Sequence, residues 1–182
     1  MRTLRHFWED RRGALLVEMA FVFPVLLVMI LAGTELARYM LLQQKLDAVA
    51  VTTADLVSQR EEISAATVDQ IFTATDHVIA PFAFGANGVV IVTSVSASGG
   101  GGPQVDWQRA GGGSLAAGSS VGTPGGAATL PAGFLVRDGE NAIIAEVYFN
   151  YAPLLQTALF SNLQMYHRSL FRPRFGTLSE LQ

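Results

Sequence analysis

A chain of 182 residues leaves room for one domain and an appendage. Its net charge of −3, with no basic stripe beyond the N-terminus, gives no footprint for nucleic acid. The absence of cysteine excludes disulfides, thiolate metal sites, a cysteine nucleophile and a lipidated-cysteine anchor, while an apolar content of 50% fits one membrane segment beside an ordinary soluble domain.

In chain order, the first element is a basic leader, residues 1–13, in which Arg2, Arg5, Arg11 and Arg12 outnumber Glu9 and Asp10. From Ala14 to Gly33 run twenty residues whose sole charge is Glu18. At 1.5 Å per residue a helix of that length spans about 30 Å, the thickness of bilayer hydrocarbon. The arginines predict a cytoplasmic N-terminus and send the chain beyond about residue 34 across the membrane. Arg38 and Tyr39 then fall at interfacial depth, where a snorkelling cation and an amphipathic ring belong.

Glu18 is the anomaly in this segment. An acid at the bilayer centre costs about 2.5–3.5 kcal/mol, and less near the end, where it can snorkel to the headgroups. A cut between Gly13 and Ala14 gives it a different meaning. Glu18 becomes the fifth residue of a new chain, one helical turn from a fresh α-ammonium, at the end of the macrodipole that favours an anion. Pro24 forfeits one backbone hydrogen bond and crowds the carbonyl of Ala20, which predicts a kink.

Residues 34–80 read as two helices. Leu36, Met40, Leu46, Val49, Ala50, Leu56 and Val57 repeat near a period of 3.6, so the membrane helix is expected to continue to about residue 57, roughly 65 Å in all. Ser58 and Glu61 form an S-x-x-E capping box. They predict a second helix with a stripe of Ile63, Val68, Ile71, Phe72, Val78 and Ile79, stopping before Pro81.

Residues 86–175 read as antiparallel sheet. "VVIVTSVSAS" is β-branched and bounded by glycines, and "QVDWQRA" alternates with Val105 and Trp107 on one face and Asp106 and Gln108 on the other. "FLVRDGENAIIAEVYFNY" carries Asp138-Gly139, which predicts a hairpin between its two apolar arms. In the second arm Ile143, Ala145, Val147, Phe149 and Tyr151 share one face, and Glu146, Tyr148 and Asn150 the opposite one. "LQMYHRSLF" supplies a last strand. From about 98 to 133 the chain is dominated by Gly, Ala and Ser and reads as a flexible excursion with little to bury. Helices followed by strands give an α+β fold: a long transmembrane and amphipathic helix, a second helix, then an antiparallel sheet head.

Chemistry is sparse. His6, His77 and His167 are scattered without a second ligand at helical spacing, and neither a G-x-S-x-G elbow nor an H-E-x-x-H pair is present. Glu61-Glu62 falls on an expected solvated turn, Trp107 reads as core, and the Arg172-Pro173-Arg174 tail reads as a surface or subunit contact. The expectation is no enzyme, no cofactor, no catalytic residue and no metal site.

A basic leader ending in Gly, followed by a hydrophobic helix with Glu at its fifth position, resembles the signal of type IV pilins and pseudopilins. More narrowly, "RRGALLVEMAFVFPVLLVMILAGTELARYMLLQQKLDAVA" resembles the N-terminal signature of the TadE/TadF family. The matching residues are Arg12, Gly13, Val17, Glu18, Ala20, Pro24, Glu35, Arg38, Gln43 and Gln44, with Met19 in place of the family's usual aromatic. "EVYFNYAPLL" and "RSLFRPR" are similar to the same proteins more loosely. The resemblance implies a pilin-like minor pseudopilin of the tight-adherence (Tad/Flp) pilus, cut by a prepilin peptidase between Gly13 and Ala14, with Glu18 pairing charge during assembly and Arg12, Glu35 and Arg38 as signature positions. Its implied partners are that peptidase, other minor pseudopilins, the major Flp pilin and an inner-membrane assembly platform. The implied location is single-pass in the bacterial inner membrane, head in the periplasm, and then the pilus fibre. Two other readings stay open: an uncut single-pass protein whose periplasmic domain binds envelope components, and a secreted domain released by cleavage after Ala32.

Overall fold

The computed structural model describes residues 12–153 and 163–182. The expected leader lies outside the described residues apart from Arg12 and Gly13, as do Leu154 and Leu155 of "EVYFNYAPLL". The fold is α+β. Helix α1 covers Arg12–Ser58, α2 Ala65–Thr73 and α3 Thr75–Ile79, and a 3-10 turn at Gly85–Asn87 leads into strands β1 Gly88–Ala97, β2 Pro103–Gly111, β3 Asn141–Tyr151 and β4 Leu163–Phe171. The chain divides into two compact units, Met1–Met40 and Leu41–Gln182.

In the first unit every described residue from 12 to 40 is helical, Pro24 included. Leu15, Phe21, Phe23, Val28, Met29 and Ile30 leave most of their surface uncovered, and the helix is long and apolar enough to cross a membrane. Such a helix, apolar on all sides and uncovered, is compatible with a single-pass anchor.

The second unit is the head. Its stretch of α1 buries Leu42, Leu46, Val49, Ala50, Ala54 and Val57, which fall on one face of the helix, as an amphipathic helix requires. The sheet order is β2-β1-β3-β4, antiparallel throughout. Alternation gives the sheet two faces. His167 of β4, opposite Val147, meets Gln43 of α1, so Ile143, Ala145 and Val147 face the helix. Phe72 of α2 packs so tightly on β2 that a Cβ added at Gly111 would overlap its ring.

Five expectations change in the head. The second helix begins at a different cap. Ser58 is the last residue of α1, buried, its hydroxyl donating to the Asp55 carbonyl at 2.9 Å. Ser64 instead caps α2 by accepting from the Thr67 N–H at 3.2 Å. The helix also breaks at Ala74, so the expected stripe is shared between α2 and α3.

The Asp138-Gly139 turn does form, with Gly139 at φ +81, but its first arm is not a strand. β3 pairs with β1 and β4, and the turn docks on the end of β1 through the Gly139 N–H to the Ala97 carbonyl, 2.9 Å. Turn chemistry specifies a reversal; the partner strand is a long-range choice. In β2 a bulge opposite Ser94 and Val95 overturns the expected alternation. Val105 packs with Val95, Val121 and Ile144, whereas Asp106 and Trp107 both reach the Ser94 side, through Ser94 Oγ and the Leu178 carbonyl that Ser94 and Trp107 share.

The Gly-rich stretch differs most. It contains β2, and residues 114–130 then lie across the sheet face opposite the helices, burying Val121. The C-terminal arginines are engaged within the head: Arg172 with Glu140 (3.4 Å) and the Leu135 carbonyl (3.0 Å), Arg174 with Asp55 (2.9 Å).

Candidate functional site

The residues marked by the sequence occupy two stations on the first unit's helix. Arg12, the first described residue, is already helical, as are Gly13 and Ala14. Gly13 is exposed, and a Cβ placed on it would meet nothing within 4 Å. Glu18 stands four residues after Ala14, one turn further on, and is exposed. No hydrogen bond or ion pair to it is made among the described residues.

The second station is Glu35 and Arg38, about 25 Å along the helix from Glu18. Glu35 is only 4% exposed, and Arg38 is half-buried. The structure therefore brings Gly13, Ala14 and Glu18 together, brings Glu35 and Arg38 within one turn of each other, and keeps the two groups apart. Pro24 lies between them without ending the helix.

The head holds a second constellation, on the β3 face that alternation gives to Glu146 and Tyr148. Glu146 of β3 points away from α1 and is fully buried. Its carboxylate accepts from the Ser120 N–H (3.0 Å), Ser120 Oγ (2.6 Å), Tyr166 Oη (2.9 Å), Tyr148 Oη (3.3 Å) and Ser119 Oγ. The Tyr148 and Tyr166 rings stand 4.9 Å apart beside it. Burial, then the negative charge of Glu146, push the Tyr148 phenol up to about 12, and burial also raises Tyr166. A carboxylate supplied with this many donors ties Ser119 and Ser120 to the sheet.

The only hint in the sequence was an acid inside an apolar alternating run, which ordinarily signals a wet face. On the helix side of the same strands, His167 Nε2 meets Gln43 Oε1 at 2.5 Å, with Asp47 at 4.0 Å from Nδ1. Among the described residues no three His, Asp or Glu side chains gather in a metal-binding group. Arg109 and Asp69 form a bidentate pair at 2.8 and 2.6 Å on the surface, where each holds the other charged: the Arg109 hydrogen bond lowers the Asp69 carboxyl, and the Asp69 hydrogen bond raises Arg109.

Residues 13–55 match the family model described as TadE-like protein. The match begins at the expected junction, contains Glu18, Pro24, Glu35 and Arg38, and stops three residues before α1 ends. No curated protein and no solved structure matches the chain.

Proposed function

We propose that this chain, TadE-like over residues 13–55, is a membrane-anchored minor pseudopilin that acts in assembly of the Tad pilus and is cut by a prepilin peptidase between Gly13 and Ala14. The observation that carries the reading is the coincidence of two boundaries. The family match and the onset of the apolar run both fall at residues 13–14. Cleavage there supplies Glu18 with the α-ammonium it lacks, in its own chain or in a neighbouring subunit. The basic leader favours a cytoplasmic N-terminus and a periplasmic head. The chain is a substrate of the peptidase and a building block, and carries out no catalysis itself. Its partners in this reading are other minor pseudopilins, the major Flp pilin and the inner-membrane platform.

A second reading is an uncut single-pass protein whose head binds envelope components. It is favoured by one feature, the helix already formed at Arg12–Ala14, which a peptidase has to unwind before cutting. The intact mass and N-terminal residue of the protein from its native membrane decide the matter. A chain beginning at Ala14 supports processing; one beginning at Met1 overturns it; one beginning near Gly33 marks cleavage of the ordinary secretory kind.

A further inference from the structure

The sheet of the head is covered on both faces, but by different materials. On one side lie helices with a continuous apolar stripe. On the other lies "AAGSSVGTP", residues 116–124, in which Val121 is the sole fully buried side chain. Both ends of this stretch are tied by backbone hydrogen bonds. On the N-terminal side the Ser114 N–H reaches the Gly85 carbonyl at 2.9 Å and the Leu115 N–H reaches that of Gly88 at 3.1 Å. On the C-terminal side Gly125 and Gly126 pair with Val105 at 2.7 and 2.9 Å, and the Ala128 N–H reaches the Pro103 carbonyl at 2.8 Å. Gly112 and Gly125, with φ near +76 and +78, make the turns at the two ends.

Between these ties, several attachments hold the stretch to the sheet, among them Ser120 Oγ with Tyr166 Oη at 2.8 Å. Val121 fits among Val95, Val105 and Ile144; Gln108 Nε2 donates to the Gly122 carbonyl at 3.3 Å; and Ser119 and Ser120 grip Glu146. A cover with so little apolar surface is not held by the hydrophobic effect alone. Its strongest bonds go to one carboxylate, and bonds to an ionised acceptor are the strong kind. That same carboxylate is without water only while the cover is shut. Opening returns it to solvent and recovers its hydration, which offsets part of the bonds lost. A closed state fastened through a buried charge therefore lies near an open one, whereas the helix-packed face has no such alternative.

We propose that residues 116–124 are a strap that opens and closes over the sheet as a unit, with Glu146 as its latch and the tied segments on either side as its hinges. The open head keeps its helix-side core and exposes Val95, Val105 and Ile144.

Hydrogen exchange on the full-length protein in detergent tests this. In the wild-type chain, amides of 116–124 exchange well before those of β1 and β3, through an opening that leaves the sheet protected. Glu146→Ala removes the latch and accelerates exchange of 116–124 by roughly 10- to 100-fold, the worth of hydrogen bonds to a charged group, with β1 and β3 unchanged. The paired change Ser119→Ala and Ser120→Ala attacks the latch from the strap side and does the same. It decides the question if Glu146→Ala does not fold. The proposal is overturned if exchange of 116–124 is unaltered in whichever of the variants folds. It is equally overturned if 116–124 loses protection only together with β1 and β3, because the strap is then part of one cooperative unit.

Discussion

Truncating Leu178 to alanine tests whether the C-terminal tail is part of the head's core. Leu178 is 1% exposed, and its carbonyl accepts from Ser94 Oγ and Trp107 Nε1, both at 2.8 Å. The tail is also stitched at either side: the Arg174 N–H to the Ser58 carbonyl (3.0 Å), and Gln182 to Ile63 (3.0 Å) and Ala65 (2.9 Å) through its own N–H and carbonyl. Leu178→Ala removes only the side chain, so the carbonyl bonds survive if the stitches hold the backbone in place. The loss is then one buried Leu→Ala change, about 2–5 kcal/mol; the stitched backbone prevents the site from collapsing fully, which argues for about 3. Against a total of about 5–15 kcal/mol for a typical domain, the variant remains folded at room temperature but is clearly weakened. Phe175, three residues away and 53% exposed, is the control, and Phe175→Ala should change stability by less than about 0.5 kcal/mol. Denaturant unfolding of the full chain in detergent, in a Trp8→Phe background, lets the emission of buried Trp107 report on this site. Equal midpoints for Leu178→Ala and the wild type would show that the tail only rests on the surface.

Glu18→Ala leaves membrane insertion intact or slightly favoured but stops incorporation into the pilus machinery; normal piliation in a strain carrying only that allele would remove the role assigned to the acid. Gly13→Asp blocks processing, because a peptidase that cuts after a small residue must fit it closely, so the purified variant should keep the full mass of the precursor. Maturation at the wild-type rate would mean that the junction is elsewhere. Tyr148 is held protonated in the folded head up to about 12, against an ordinary phenol near 10 in the unfolded chain. A group whose folded pKa is raised contributes its full stability below the unfolded value and loses it as pH rises through the folded one. The head should therefore weaken between about pH 10 and 12, and Tyr148→Phe should flatten that slope without abolishing it, since Tyr166 is raised as well. A slope unchanged in the variant, measured from unfolding midpoints across that window, would detach Tyr148 from the Glu146 cluster.

The sequence by itself determined what depends on neighbours along the chain. The apolar run and its helical period specify α1 to within a residue or two of its C-terminal end, and β-branched runs specify β1 and β3. Tertiary structure decided the rest. Whether Ser58 or Ser64 caps a helix depended on α1 continuing through Ser58, and whether Asp138-Gly139 joins two strands depended on β1 competing for the partner. The standing of Glu146 depended on a cover with no periodicity to announce it. Alternation says which residues share a face of a strand. Whether that face meets water is settled by segments far away in sequence, and a buried carboxylate arises only where such a segment brings enough donors to replace its hydration.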